Sequence, residues 1–406
     1  VSTRVVITGL GAVTALGADV PALLAGVRDG RCAIGPLTLF AHAGRCRTAA
    51  QVPEGVGVAA PGLPPATARR LSRPDRFALA AAYEACRQAG LEDPLRARLA
   101  LYVGATTGGM FETEEVYRRR QAGEERRYRL SRVLSMPLST AAATLSQALG
   151  IYGPQASVST ACSSSALAVA MAAETIRRGE AAVALAVGTD GLCRLTYAGF
   201  DALQALDPDR CRPFDRERHG LSLGEGAAAL VLEDASHARA RGARARAVLL
   251  GWGSATDAHH PTAPHPEGAG ALAALRGALA AGAISADAVD YVNAHGTGTP
   301  QNDAVEVAVL RAGLGARAAR VPISSTKSQL GHCLGAAGAV ETVVTVLALA
   351  EGVLPPTLGL READPAWSDM DLVPAAGRRQ PLGVALTSSY GFGGHNVTLA
   401  LGRAER

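Results

Sequence analysis

Val158-Ser159-Thr160-Ala161-Cys162-Ser163-Ser164-Ser165 is the stretch on which the fold and the chemistry of this chain turn. Small hydroxyl residues crowd around one cysteine, and small and apolar residues with helical character follow over 166–176. Serine and threonine suit a tight turn and the N-cap of a helix. A thiol held at that end of a helix feels the positive end of its dipole, which favours thiolate over thiol. The pattern predicts a nucleophile rather than a structural thiol.

Two histidines further along have equally unusual surroundings: Asn293-Ala294-His295-Gly296-Thr297-Gly298-Thr299 and Lys327-Ser328-Gln329-Leu330-Gly331-His332. One thiol and two imidazoles are enough for covalent acyl chemistry. Lys327 strengthens the signal, because it is the single lysine among 40 basic residues. A compact ammonium on a flexible stem is not replaced by a planar guanidinium. A need for an ammonium close to His332 is therefore expected.

Outward from these motifs, short apolar strands alternate with helices. Strands are expected at 5–9, 99–104, 183–188, 223–233, 247–252, 289–293, 321–325, 383–388 and 397–401. Helices are expected at 17–28, 74–89, 166–176, 267–281, 303–312 and 335–350, and residues 31–62 read as irregular. That alternation predicts an α/β protein. By pattern the second half is expected to replay the first, with a charged connector at 236–246, although direct identity between the halves is weak. Residues 111–133 carry many arginines at helical spacing, which fits an exposed helical excursion or a docking surface for an acidic partner. Gly9-Leu-Gly11 lacks the third glycine and the acid of a dinucleotide loop.

Composition excludes several classes. A net charge of +4 is too small to argue for nucleic acid. No uninterrupted apolar stretch approaches the ~20 residues of a membrane span. The first residues read as a strand rather than a signal peptide. Seven scattered cysteines without a CxxC pair point away from a disulfide framework or zinc site and towards a reducing cytoplasm. His259-His260-Pro-Thr-Ala-Pro-His265 is rich in histidine, but its prolines suit an ordinary lining loop better than a metal site.

Thr160-Ala-Cys162-Ser-Ser, Asn293-Ala-His295-Gly-Thr-x-Thr299 and Ser325-Thr-Lys327-Ser-x-x-Gly-His332 resemble the β-ketoacyl-acyl-carrier-protein synthases. The likeness is to the elongating, type II branch of the thiolase-like superfamily. Arg212-Pro-Phe-Asp215, Gly335-Ala-Ala-Gly-Ala-Val-Glu341 and the terminal Gly391-Phe-Gly-Gly-x-Asn396 extend it over nearly the whole chain. The resemblance implies a five-layered αβαβα fold from two similar halves, 1–243 carrying Cys162 and 244–406 carrying both histidines. It implies a dimer and decarboxylative Claisen condensation of an enzyme-bound acyl group with malonyl on acyl carrier protein. The pathway would be fatty-acid elongation, or a type II polyketide or polyene synthase in which a homologue lacking the cysteine completes the dimer. No cofactor or metal is implied, since substrates arrive on the carrier's phosphopantetheine arm.

By resemblance, Cys162 is the nucleophile, and the N–H groups of Cys162 and Phe392 form the oxyanion hole. His295 and His332 stabilise the enolate, each with Nε2 as donor. Lys327 and Glu341 support His332, while Asp303 and Glu306 order polar groups behind His295. For Glu341 and Asp303 a purely structural role is equally open. Thr297 and Thr299 bind the pantetheine arm, Thr107 sets the floor of the acyl tunnel, and Arg69, Arg70, Arg126 and Arg127 grip the carrier protein. A degradative thiolase would need a second cysteine in the terminal glycine loop, where none occurs; a binding subunit would lack Cys162.

Overall fold

The computed structural model describes residues 3–56, 62–124 and 130–404. Ten strands form its main sheet: β1 Val5–Thr14, β2 Ala100–Gly104, β3 Gln155–Val158, β4 Val183–Asp190, β5 Gly226–Asp234, β6 Ala247–Thr256, β7 Tyr291–Asn293, β8 Ile323–Ser324, β9 Val384–Gly391 and β10 His395–Arg403. The helices that matter here are α1 Arg73–Ala89, α2 Met110–Gln121, α3 Ser164–Arg177, α4 Arg194–Ala202, α5 Ala269–Ala281, α6 Pro300–Leu314 and α7 Ala337–Glu351.

The sheet holds one topology twice. In order β1-β5-β4-β2-β3, the first two pairings are antiparallel and the last two parallel. In order β6-β10-β9-β7-β8 the same sequence of pairings recurs. The copies are joined where Val5, Val6 and Ile7 pair antiparallel with Leu249, Val248 and Ala247.

Strand alternation places these copies in layers. Along β5, Ala228, Leu230 and Leu232 face a core shared with α3 and α7. Ala227, Ala229 and Val231 face a second core under α1. Both faces are apolar, as a strand covered on both sides requires. A third core packs α5 and α6 on the outer face of the second copy. Helix, sheet, paired central helices, sheet and helix make the five layers of a thiolase-like fold.

Local sequence explains the elements that hold. Ser72 and Asp75 form a reciprocal capping box at the start of α1, and Gly90 ends it in a left-handed conformation. Gly9 and Gly11 let α1 lie directly on β1, because a Cβ there would collide with the carbonyls of Ala85 and Ala81. That Gly-x-Gly is a packing device.

Other expectations change. Residues 31–62 include strands Ile34–Pro36 and Thr48–Ala50, and the latter pairs with Leu223–Gly224. Of the 111–133 region, the described residues form α2 and lead into a 3-10 turn, Leu130–Ser135. It is not wholly solvated: Glu112 and Val116 are buried, and Glu112 accepts a hydrogen bond from the Arg73 N–H at 2.8 Å. The helix Ser139–Leu149 and α4 were not among the expected helices. Between β9 and β10 the expected long loop is a tight hairpin through Phe392, Gly393 and Gly394. The helical stretch Leu334–Glu351 is apolar and long enough to cross a membrane, but it is 83% buried at the centre of the molecule and reads as a core helix.

Candidate active site

Cys162 lies in the turn between β3 and α3. Its hydroxyl neighbours hold that turn and do not cap the helix. Ser164 Oγ donates to the Ala161 carbonyl at 2.6 Å and accepts from the Thr160 N–H at 2.9 Å, while Ser163 Oγ donates to the Thr160 carbonyl. The helix N-cap, Ser163, makes no side-chain cap. Ala161 is held at φ +51°, a left-handed conformation costly for a residue with a Cβ. The turn is thus over-determined around Cys162.

His332 occupies the equivalent place in the second copy, between β8 and α7. Its backbone N–H donates to the Ser222 carbonyl at 2.7 Å. Its Nδ1 accepts from the Leu334 N–H at 3.2 Å, so in the neutral ring the proton sits on Nε2, which is buried without a partner among the described residues. His295 follows β7. Glu306 on α6 fixes it by accepting from the His295 and Gly296 N–H groups, both at 2.7 Å. Asp303, one helical turn earlier, accepts from the N–H groups of Phe214 and Gly298. These carboxylates hold the backbone of the 295–299 loop.

The three segments converge. The ligand-forming atoms of Cys162, His295 and His332 all lie within 4.8 Å of one another. The imidazole centroids are 5.3 Å apart and the rings nearly perpendicular. All three residues line a cavity of about 440 Å³, with Thr297, Thr299 and Phe392 further along its wall. One sulfur and two nitrogens so close could also hold a soft divalent metal ion.

Burial sets the electrostatics. It holds both imidazoles well below the usual histidine range, helped by the nearby Lys327 ammonium, so both rings are neutral. Burial also pushes the Cys162 thiol up to about 11, against the pull of Lys327 and of a hydrogen bond from the Phe392 backbone. This runs against the expectation that the helix end would favour thiolate: desolvation outweighs the pull of Lys327 and Phe392. Lys327 is buried and ion-paired with Glu341, whose carboxyl is raised by burial and lowered by that ammonium. Glu306 is pushed up to about 7 by burial.

Not every expected residue reaches the cavity. Thr107 is buried, but its hydroxyl donates to Asp190 and it does not line the cavity. Arg69 and Arg70 are exposed, after the short helix Pro65–Ala68. Arg126 and Arg127 lie outside the described residues. The hydroxyls of Thr297 and Thr299 bond to each other at 2.8 Å. In the histidine-rich loop, His259 and His265 pack edge to face, and the Pro261 carbonyl accepts from the Gly393 N–H at 2.7 Å. The sequence reading missed Phe200, whose ring stacks on Phe392 at 5.4 Å, and Asp257, which accepts from Asn396 at 2.8 Å. Only the folded hairpin brings these together, and no local pattern marks them.

Residues 2–238 match the family described as Beta-ketoacyl synthase, N-terminal domain, and residues 246–361 match Beta-ketoacyl synthase, C-terminal domain. The chain is 41% identical to Nodulation protein E of Rhizobium meliloti (strain 1021), with 98% of each chain covered. It is 37% identical to 3-oxoacyl-[acyl-carrier-protein] synthase 2 of Synechocystis sp., covering 98% of this chain and 97% of the other. Among solved structures, the ishigamide ketosynthase/chain length factor superposes with a TM-score of 0.93 at 34% identity over 100% of both chains. A buried thiol and two neutral imidazoles meeting in one cavity agree with these likenesses, and the chain belongs to the β-ketoacyl synthase family, as a β-ketoacyl-acyl-carrier-protein synthase that forms carbon–carbon bonds by acyl transfer.

Proposed function

We propose that Cys162 carries the acyl group and that His295 and His332 stabilise the enolate. The Cys162 sulfur bonds to the carbonyl carbon of an acyl thioester. The pantetheine sulfur leaves with the thiol proton. A raised thiol suits this order, because the proton stays on sulfur until an acyl group arrives. The Cys162 and Phe392 N–H groups receive the tetrahedral oxyanion, and losing one such donor typically costs about 3–4 kcal/mol of barrier. Malonyl then enters on its carrier and loses carbon dioxide. The enolate oxygen accepts from His332 Nε2–H and from His295, and the enolate carbon attacks the acyl carbon, releasing the Cys162 sulfur.

The observation that carries this reading is the approach of all three groups to within 4.8 Å at one cavity. Two neutral rings support it, since each can donate one proton without carrying charge. Lys327, paired with Glu341, supports His332, and Asp303 and Glu306 support the His295 loop. Thr297 and Thr299 guide the pantetheine arm along the wall. Arg69 and Arg70, with Arg126 and Arg127, meet the acidic carrier.

The enzyme acts in the cytoplasm on carrier-bound chains and elongates fatty acyl groups. A second reading, a polyketide or polyene ketosynthase paired with a cysteine-lacking homologue, is favoured by the likeness to a structure named for a ketosynthase and chain length factor. Either dimer would use the outer edge of β3, where Gln155 and Ser157 are exposed, and the exposed Tyr117, Leu130 and Leu134. Purifying the native complex tests the pathway: a homodimer active alone supports fatty-acid elongation, and a homologous partner without a cysteine supports the second reading. Mass analysis of the acyl group trapped on the enzyme tests the chemistry; an adduct anywhere but Cys162 overturns it.

A further inference from the structure

Asp190 ends β4 between the two copies, and its carboxylate is fully buried. Its oxygens accept from the Thr106 N–H at 3.0 and 3.1 Å and the Thr106 hydroxyl at 2.6 Å. They also accept from the Thr107 N–H at 2.7 Å, the Thr107 hydroxyl at 2.8 Å and the Gly335 N–H at 2.6 Å. Backbone N–H groups only donate, and they reach both oxygens, so this cage favours the ionised carboxylate against burial, which raises it. Thr106 and Thr107 follow β2 of the first copy. Gly335 belongs to the second, at the head of α7.

The contact with Gly335 is close by design of the chain. A Cβ there would lie 2.6 Å from Asp190 Oδ2 and 3.0 Å from the Ala105 carbonyl carbon. Leu334, the residue before it, is held at φ +53°. Its N–H is the donor that orients His332 through Nδ1. A continuous series therefore runs from Asp190 through Gly335 and Leu334 to the His332 ring.

We propose that Asp190 is a positioning residue of the condensation, drawing the head of α7 onto the 106–107 turn and so aiming His332 at the cavity it shares with Cys162. The proposal rests on the assignment of His332 and Cys162 made above. The same carboxylate also acts on the thiol. Of the charged groups that act on Cys162, Lys327 favours thiolate, as does the Phe392 hydrogen bond, whereas Asp190 and Glu341 oppose it. His295 and His332 are neutral. Removing the Asp190 charge should therefore ease ionisation of Cys162 while releasing His332, two opposite effects that a general loss of structure does not produce.

The test uses the full-length chain and three variants: Asp190→Asn, Gly335→Ala and His332→Ala. Malonyl-carrier decarboxylation is measured for kcat and KM, and Cys162 alkylation by iodoacetamide is followed against pH. Asp190→Asn should lower the decarboxylation kcat about tenfold to a hundredfold, the range for a small misplacement of a reacting group. KM should change less than about threefold, and the alkylation midpoint should move to lower pH. Gly335→Ala keeps the charge and wedges the contact apart, so decarboxylation should fall with no downward move of the midpoint. Decarboxylation within about twofold of wild type in both variants, with a loss in His332→Ala, overturns the proposal alone. Wild-type decarboxylation in His332→Ala overturns the assignment of His332 and the proposal with it. A loss in Asp190→Asn with an unmoved alkylation profile marks a structural residue only and also overturns it. If Asp190→Asn does not fold, Gly335→Ala decides: unchanged decarboxylation refutes the positioning role.

Discussion

The strand ending at Asp190 and the strand ending at Gly391 hold the same place in two copies of one topology, yet they finish with opposite chemistry. The first offers a carboxylate that accepts from Gly335, at the head of the other copy's central helix. The second leads into Phe392, whose backbone N–H donates to Cys162 at the head of the first copy's central helix. Each copy thus finishes the site of its counterpart. The shared frame brings two helix heads to one point, and the residues placed there differ: a thiol at one, an imidazole at the other. The outer edges differ too. At the edge of the first copy, β3 leaves Gln155 and Ser157 exposed. At the edge of the second, β8 is buried, and Ile323 donates to the Asp371 carbonyl of a covering segment. A bare edge invites pairing with another chain, and a covered one does not.

The largest expected break in this comparison is removal of the thiol. Cys162→Ala should reduce acyl transfer by about 10⁴-fold or more, read as absence of an acyl adduct by intact-protein mass spectrometry. The imidazoles come next. His295→Ala and His332→Ala should each slow malonyl decarboxylation by about 10²–10³-fold, and wild-type decarboxylation by the double variant would sink the enolate assignment. Burial of the thiol gives a pH prediction. Because Cys162 is raised to about 11, thiolate becomes commoner as pH rises towards that value. Alkylation of Cys162 should climb about tenfold per pH step of one from 7 to 10, and a plateau near pH 8 would show that the helix end wins over desolvation after all.

Lys327→Arg is expected to cost about tenfold or more in condensation, because a planar guanidinium cannot take the buried place of the ammonium beside Glu341. Normal turnover would reduce the lone lysine to an accident of composition. The smallest effect sharpens the comparison of the copies through stability. Helix α1 starts with the Ser72 capping box, whereas its counterpart α5 starts at Gly268 with no side-chain cap. Ser72→Ala should cost about 1 kcal/mol, measured by chemical denaturation, with catalysis per folded molecule unchanged.

The residues proposed to react were legible locally. Cys162, His295 and His332 stand in short runs of small, hydroxyl and glycine residues whose composition is a signal in itself. The neighbours of Thr107 gave no hint that a carboxylate 83 positions away would bind its hydroxyl. Phe200 and Asp257 gave no signal because ordinary residue types become special only when the Phe392 hairpin folds against them.

What the sequence by itself determined is therefore the alternation of strands and helices and the candidate reacting groups, because both are written in nearest-neighbour chemistry. Tertiary structure turned the repeat that the pattern suggested into a duplication strand for strand. It also decided that the thiol is raised instead of lowered, and that Asp190 reaches the head of the other copy's helix. Those outcomes depend on exclusion of water and on contacts between residues far apart in the chain, and neither is a property of any local stretch.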